Sequence, residues 1–144
     1  MSENYVVGYD GSDSARRALE FAVARAKERG AALLLAHVLE WSPYSFLTPE
    51  EIEERHTRRK EELDRADKAL LAPVVAELDT SGIAVTTALR YGHIGETLCD
   101  LAVEHGAEQI FIGRTGHSSL ASRLFGSVAG TLAQAAPVPV TIVP

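Results

Sequence analysis

The sequence predicts a doubly wound α/β domain, with five parallel strands in one sheet and helices on both faces. Three observations predict it. Short apolar runs at 5–9, 33–39, 83–89, 108–113 and 138–143 alternate along the chain with stretches of helical periodicity. The second run is nearly continuous in apolar residues, as strands covered on both faces are. The length of 144 residues, with 46% hydrophobic and 24% charged content, suffices for one domain with one substantial core.

The first strand, 5–9, runs into the turn Asp10-Gly11-Ser12. Ser12 is placed to cap a helix, and Asp13 is favourable in its first turn. Ala15, Ala18, Leu19, Ala22, Val23 and Ala26 give this helix one apolar face, and Gly30 stops it. After the second strand comes a loop, 41–48, rich in aromatics and proline. Thr48-Pro49-Glu50-Glu51 then opens a helix with a capping box and a proline at the first helical position. This helix is expected from Glu50 to about Asp79. Its first half is charged, with sparse apolar positions at Ile52, Leu63 and Ala66, and reads as a solvated face. Pro73 should kink or interrupt it, and Ser81-Gly82 ends it. After the third strand, Gly92-His93-Ile94-Gly95 leads into a helix through Leu98, Leu101 and Ala102, stopped by Gly106. Cys99, the single cysteine, reads as packing on that helix. Val128, Leu132 and Ala135/Ala136 mark the last helix. The final strand contains Pro137 and Pro139, and proline cannot serve a two-sided ladder, so it must be an edge strand.

The stretch that carries the chemistry follows the apolar Ile110-Phe111-Ile112. It reads Gly113-Arg114-Thr115-Gly116, then nine residues, then Gly126-Ser127. These glycines fall between a strand and a helix. There the helix N-terminus offers unpaired N–H groups and the positive end of its dipole to a phosphate. Gly113 and Gly116 can take positive φ and let the backbone approach a ligand closely. Ser127 can cap the helix or give its hydroxyl to a phosphate. Turn chemistry alone would also account for glycines in a loop. Neither a Gly-Lys-Ser/Thr phosphate loop nor the dinucleotide GxGxxG occurs.

Gly-x2-Gly-x9-Gly-Ser followed by Val128-Ala129 resembles the signature of the universal stress protein family. The resemblance extends from Val6-Val7-Gly8-Tyr9-Asp10-Gly11-Ser12 to Pro137-Val138-Pro139-Val140, nearly the whole chain. It implies a Rossmann-like sheet of strand order 3-2-1-4-5, compatible with right-handed crossovers, in one nucleotide-binding domain over 1–144. It also implies ATP, which members with the complete motif bind and a second branch, lacking the motif, does not. Ligands of such sheets lie beyond the carboxyl ends of the strands where the order reverses, here between strands one and four. Asp10 would face Gly113 there. A carboxylate beside a phosphate loop suits Mg²⁺, which keeps several waters and needs one or two carboxylates; a turn or cap role is the alternative for Asp10. The resemblance places Asp10 and Gly11 near ribose and phosphates, and the Val38 backbone against adenine. It places Gly113, Gly116, Gly126, Ser127 and Val128 on phosphates and ribose. Arg114 and His117 fall between the motif positions and could add positive charge or simply be solvated. The edge strand from Val138 to Val143, an aggregation liability if bare, would pair with its own copy in a two-fold homodimer, as the family commonly does. Glu108 stands where the family commonly has Asp, at the strand end away from the ligand.

Other motifs fit less well. His93-Ile94-Gly95-Glu96 looks like the HIGH motif of nucleotidyltransferases, but ends in Glu and follows the third strand. Asp10-Gly11-Ser12-Asp13-Ser14 lacks the leading Ser-Gly of the ATP pyrophosphatase loop. His37, His56 and His105 have no metal-ligand spacing, and His37, inside an apolar strand, reads as a packed core histidine. The net charge of −6 argues against non-specific nucleic-acid binding. No apolar run approaches the roughly 18 residues of a membrane span, and the first five residues do not resemble a signal peptide. One cysteine fits a reducing cytosol, so a cytoplasmic protein is expected. The leading function is an ATP-binding regulatory or stress-response module with slow or no hydrolysis, because no lysine clamp and no obvious base accompany the loop. Two alternatives stand beside it. One is a slow ATPase or nucleotidyltransferase using Asp10, Arg114 or His93. The other is a dimeric interaction protein whose glycines serve only turns.

Overall fold

The computed structural model describes residues 3–40, 48–78, 82–115 and 127–144. Five strands build one sheet: β1 Asn4–Gly8, β2 Ala32–Glu40, β3 Val85–Gly92, β4 Gln109–Gly113 and β5 Val140–Val143. Every pairing is parallel and the order is β3-β2-β1-β4-β5. The helices between them are α1 Asp13–Arg29, α2 Pro49–Ala66, α3 Ala72–Leu78, α4 Ile94–Glu104 and α5 Ser127–Ala135. The doubly wound class and the 3-2-1-4-5 order are both as expected. The order reverses between β1 and β4, because β1 leads through α1 to β2 on one side while β4 leads through α5 to β5 on the other.

Successive side chains of a strand point to opposite faces, and here both faces are apolar. On one face Tyr5, Val7, Leu33, Leu35 and Phe111 pack against Ala15, Leu19 and Ala22 of α1 and Val74 of α3. On the other, Val6, Leu34, Ala36, Ile110 and Ile112 pack against Leu98 and Leu101 of α4 and Ala129 and Leu132 of α5. This double burial is why the central runs read as continuously apolar. Cys99 is half-buried between α4 and α5, with Sγ 4.0 Å from the Ala135 carbonyl. Burial first, then Asp100 and Glu96, pushes its thiol pKa up, which suits packing and not nucleophilic chemistry.

Several boundaries differ from the sequence expectation. β3 starts at Val85 and runs on to Gly92, opposite Glu40, past the expected end at residue 89. The polar Arg90 hid this extension; its guanidinium is tied to Glu104 of α4 at 2.9 and 3.3 Å. β5 starts at Val140, so Pro137 and Pro139 precede it instead of lying in it. Pro139 has no N–H to give, but its carbonyl accepts from Ile110 N–H at 3.0 Å and sets the register of β5. β5 is the edge strand, as expected, although the prolines lie before it.

The capping box before α2 is present. Thr48 Oγ1 accepts from Glu51 N–H at 3.2 Å, and Glu51 accepts from Thr48 N–H at 3.4 Å. No residue of α2 is buried, in keeping with a solvated charged helix. The interruption expected at Pro73 is present and takes the form of a π-helical turn, Asp67–Leu71, just before α3. Ala72 N–H reaches back five residues to the Asp67 carbonyl. Pro73, lacking an N–H and crowding the carbonyl four residues back, cannot continue the α-helical ladder, and the wider turn accommodates this. Leu71 and Val74 thereby drop into the core. Glu62 of α2 reaches the Tyr91 hydroxyl on β3, and the Arg59 guanidinium lies 5.3 Å from the Tyr91 ring centroid. The expected loop 41–47 and residues 79–81 lie outside the described residues. Among the described residues no helix is long and apolar enough to cross a membrane.

Candidate functional site

Of the residues expected to carry function, Asp10, Gly11, Val38, Gly113 and Arg114 lie at or just beyond the carboxyl ends of β1, β2 and β4. β1 ends at Gly8, and Tyr9 N–H still donates to the Ala36 carbonyl at 2.8 Å. The chain then turns through Asp10, Gly11 and Ser12 into α1. Asp10 Oδ1 accepts from Ser12 N–H at 2.9 Å, and Gly11 between them has φ of 81°, the left-handed region that favours glycine. Ser12 caps α1 as expected, its Oγ accepting from Ala15 N–H at 3.1 Å. Asp10 is thus in part a turn-former. Asp10 is half-buried, and counting the register on from Val7 opposite Phe111 sets it level with Arg114.

Val38 on β2 is organised differently. Its side chain is buried, 7% exposed, in the α4/α5 face of the core. Its backbone is what it can offer. Ala36 turns its carbonyl to Tyr9, so in the two-residue period of a strand the N–H and C=O of Val38 turn the same way. Val38 lies two residues past the last β1 rung, Gly8 opposite Ala36. A donor and an acceptor therefore point into the space above Tyr9, a pair of contacts that can read the edge of a flat heterocycle. His37 beside it is half-buried, with Nδ1 2.7 Å from the Tyr9 carbonyl. A carbonyl only accepts, so Nδ1 carries the proton in this bond. The core packing expected of His37 is therefore only half its role; it also pins the end of β1.

Gly113 closes β4, and Arg114, which follows, is exposed. Gly113 does not use the left-handed φ open to a glycine. Its need is space: a Cβ there would lie 2.6 Å from the Ser14 carbonyl carbon and 2.8 Å from Ala15 N. The close approach is between β4 and the start of α1. Arg114 N–H donates to the Val143 carbonyl at 2.7 Å, continuing the β4–β5 ladder one step beyond the strand. Gly116, His117 and Gly126 lie outside the described residues, as does the side chain of Ser127. Ser127 opens α5, with Val128 half-buried behind it.

A cleft of about 170 Å³ opens between the end of β2 and the starts of α4 and α5, lined by Glu40, His93, Ile94, Gly95, Glu96, Val128 and Thr131. Its two carboxylates, Glu40 and Glu96, disfavour an anion there. His93 is the N-cap residue of α4 but makes no side-chain capping bond. Gly95, part of the HIGH-like stretch, is a packing residue; a Cβ there would lie 2.7 Å from Thr131 Cγ2. Among the described residues no three His, Cys, Asp or Glu side chains converge as a metal site.

Ser14 escaped the sequence reading. It is 2% exposed, accepts from Thr115 N–H at 3.3 Å and donates to the Val143 carbonyl at 3.3 Å. A serine one turn before Ala18, on the apolar face of α1, was the available signal.

Comparison with known proteins matches residues 1–144 to the universal stress protein family. A universal stress protein of Thermus aquaticus is 34% identical over 145 residues, 99% of each chain. The solved universal stress protein UspA from Lactobacillus plantarum superposes with a TM-score of 0.82 at 28% identity, covering 99% of this chain and 97% of its own. A universal stress protein solved in complex with cAMP is 26% identical with a TM-score of 0.70, covering 99% and 97%. One from Archaeoglobus fulgidus, solved in complex with dAMP, is 27% identical with a TM-score of 0.63, covering 100% and 98%.

Proposed function

The chain belongs to the universal stress protein family, and from that premise we propose that it binds an adenine nucleotide over the carboxyl ends of β1 and β4. The observation that carries this reading is the outward-turned backbone pair of Val38, set above Tyr9 at the end of β1, the strand next to the β1–β4 reversal. The cAMP and dAMP bound by two relatives of the same fold support it. In this reading Val38 reads the adenine edge. Asp10 and Gly11 lie by ribose and phosphates. Gly113, Arg114 and the start of α5 at Ser127 and Val128 take the phosphates, with Gly116, His117 and Gly126 completing the loop.

The finer form of the proposal is ATP with Mg²⁺ in the cytoplasm, serving regulation with slow or no hydrolysis. One oxygen of Asp10 already accepts the Ser12 amide. The carboxylate therefore suits a metal held mainly by phosphates and water, which is how Mg²⁺ is usually bound. When bound, the ion would neutralise phosphate charge; the chain's part is to position the nucleotide. Turnover above about 1 per second, the low end of typical enzymes, would overturn the regulatory reading.

Calorimetric titration of nucleotide-stripped protein tests the site. AMP and Mg-ATP should each saturate at one site per chain and compete with one another. Chelating Mg²⁺ should weaken ATP and leave AMP unchanged. No heat with either nucleotide at millimolar concentration removes the proposal.

The same reading includes a homodimer through β5. Ile110 and Arg114 pair with the carbonyls of Pro139 and Val143, so Val140 and Ile142 turn their N–H and C=O away from β4. All four residues of β5 are half-buried, and a second copy would cover this edge. Light scattering at tens of micromolar should give the dimer mass. Val140→Pro, which deletes an outward N–H and no β4 contact, should shift it to monomer. Monomeric mass in the unmodified protein removes this part.

A further inference from the structure

We infer that Ser14 is a positioning residue that couples nucleotide occupancy at the end of β4 to the edge strand β5. The inference rests on the nucleotide reading above and adds to it a route by which the site is felt elsewhere. Three chain segments distant in sequence meet at one buried hydroxyl. Thr115 N–H donates to Ser14 Oγ at 3.3 Å, and Ser14 Oγ–H donates to the Val143 carbonyl at 3.3 Å. The same carbonyl accepts from Arg114 N–H at 2.7 Å. One hydroxyl has one donor and two lone pairs, so its donor goes to β5 while it receives from the loop. Bonds in such a chain polarise one another, the more so away from water. Ser14 is 2% exposed.

The geometry leaves this chain little freedom. Gly113 lies so close to Ser14 that a Cβ on it would collide with the serine backbone. The start of α1, the end of β4 and the end of β5 thus share one contact point. A further tie from Arg17 Nε to the Pro144 carbonyl, at 2.8 Å, holds α1 to the same segment. A ligand that fixes Arg114 and Thr115 holds the Val143 carbonyl at the end of β5 twice, directly by Arg114 N–H and through Ser14 by Thr115 N–H. The outward groups of Val140 and Ile142 lie on that strand. Linkage makes the coupling reciprocal, so whatever holds β5 should favour the ligand too.

Hydrogen exchange on the full chain, with and without saturating AMP, tests the coupling. In the unmodified protein AMP should slow the amides of Arg114 and Thr115, and also those of Thr141 and Val143, each by about fivefold or more. In Ser14→Ala the Arg114 response should remain while that of Thr141 and Val143 falls below about twofold. AMP affinity should drop about three- to tenfold, because the Thr115 amide loses its partner. Slowing confined to Arg114 and Thr115 in the unmodified protein overturns the coupling and leaves nucleotide binding standing. That arm decides even if Ser14→Ala does not fold. An unchanged β5 response in a folded Ser14→Ala also overturns it. AMP that neither binds nor slows any amide overturns the nucleotide reading, and this inference with it.

Discussion

Phe111→Ala should lower the stability of the chain by about 4 kcal/mol, within the range for emptying a buried Phe site. Phe111 is 0% exposed and sits mid-sheet on β4, between Val7 of β1 and Thr141 of β5. Its ring meets Tyr5 edge-on, with centroids 5.3 Å apart and planes at 61°, and a tilted Phe21 at 6.1 Å. Both the transfer term and the aromatic contacts would be lost. The surroundings cannot collapse easily, because Tyr5 is held in β1 and the facing helix packs through small alanines, Ala15 and Ala22. At roughly 2–4 °C per kcal/mol for a chain of this size, the midpoint should fall by roughly 8–16 °C in calorimetry. Phe111→Leu, which retains most of the volume, should cost less than half as much. A drop below about 2 kcal/mol for the alanine variant would show that α1 can settle onto the sheet, and would weaken the account of Gly113 given below.

The sequence holds two kinds of information. Period and composition depend on each residue's own burial, and they revealed β1, β2, β4 and α1 within one or two residues. Arg90 misled because its polarity is neutralised by Glu104, a partner on another element. Pro73 announced a break, but the form of the break depends on where Leu71 must point to reach the core. At the site, Asp10, Gly11 and Val38 were marked by the turn and by the family pattern. Ser14 and His37 were not, since their meaning lies in partners far along the chain. Ser14 bonds a carbonyl 129 residues away, and His37 a carbonyl 28 residues away. Such residues carry no local pattern, because the hydrogen bond and not the neighbourhood fixes the side chain.

Gly113 shows how a correct residue can be singled out for an incomplete reason, and it yields the second large effect. A glycine after a strand suggests positive φ, yet Gly113 lies in β4 without it. What only glycine provides there is the missing Cβ. In Gly113→Ala that atom would lie 2.6 Å from the Ser14 carbonyl carbon and 2.8 Å from Ala15 N, and it would also strike Ser14 Oγ. Backbone atoms of a helix cannot rotate aside as a side-chain tip can, so α1 must move as a body or β4 must bend away. Either motion breaks the Thr115–Ser14–Val143 chain. The expected cost is about 3 kcal/mol, at the upper end of overpacking, or roughly 6–12 °C in midpoint. It should bring at least a tenfold loss of adenine nucleotide affinity as Arg114 and Thr115 shift. Gly8→Ala is the matched control on the neighbouring strand. Its Cβ would meet only side-chain atoms, Leu98 Cδ1 at 3.1 Å and Ile112 Cγ2 at 3.2 Å. Those can yield by a few tenths of an ångström, and the stiffer unfolded chain offsets part of the strain by roughly 0.4–1 kcal/mol. Gly8→Ala should therefore change stability by less than about 1 kcal/mol. If the two variants were equally stable, the approach of α1 to β4 would not be what requires glycine at 113, and the proposed phosphate contact would have to supply the reason.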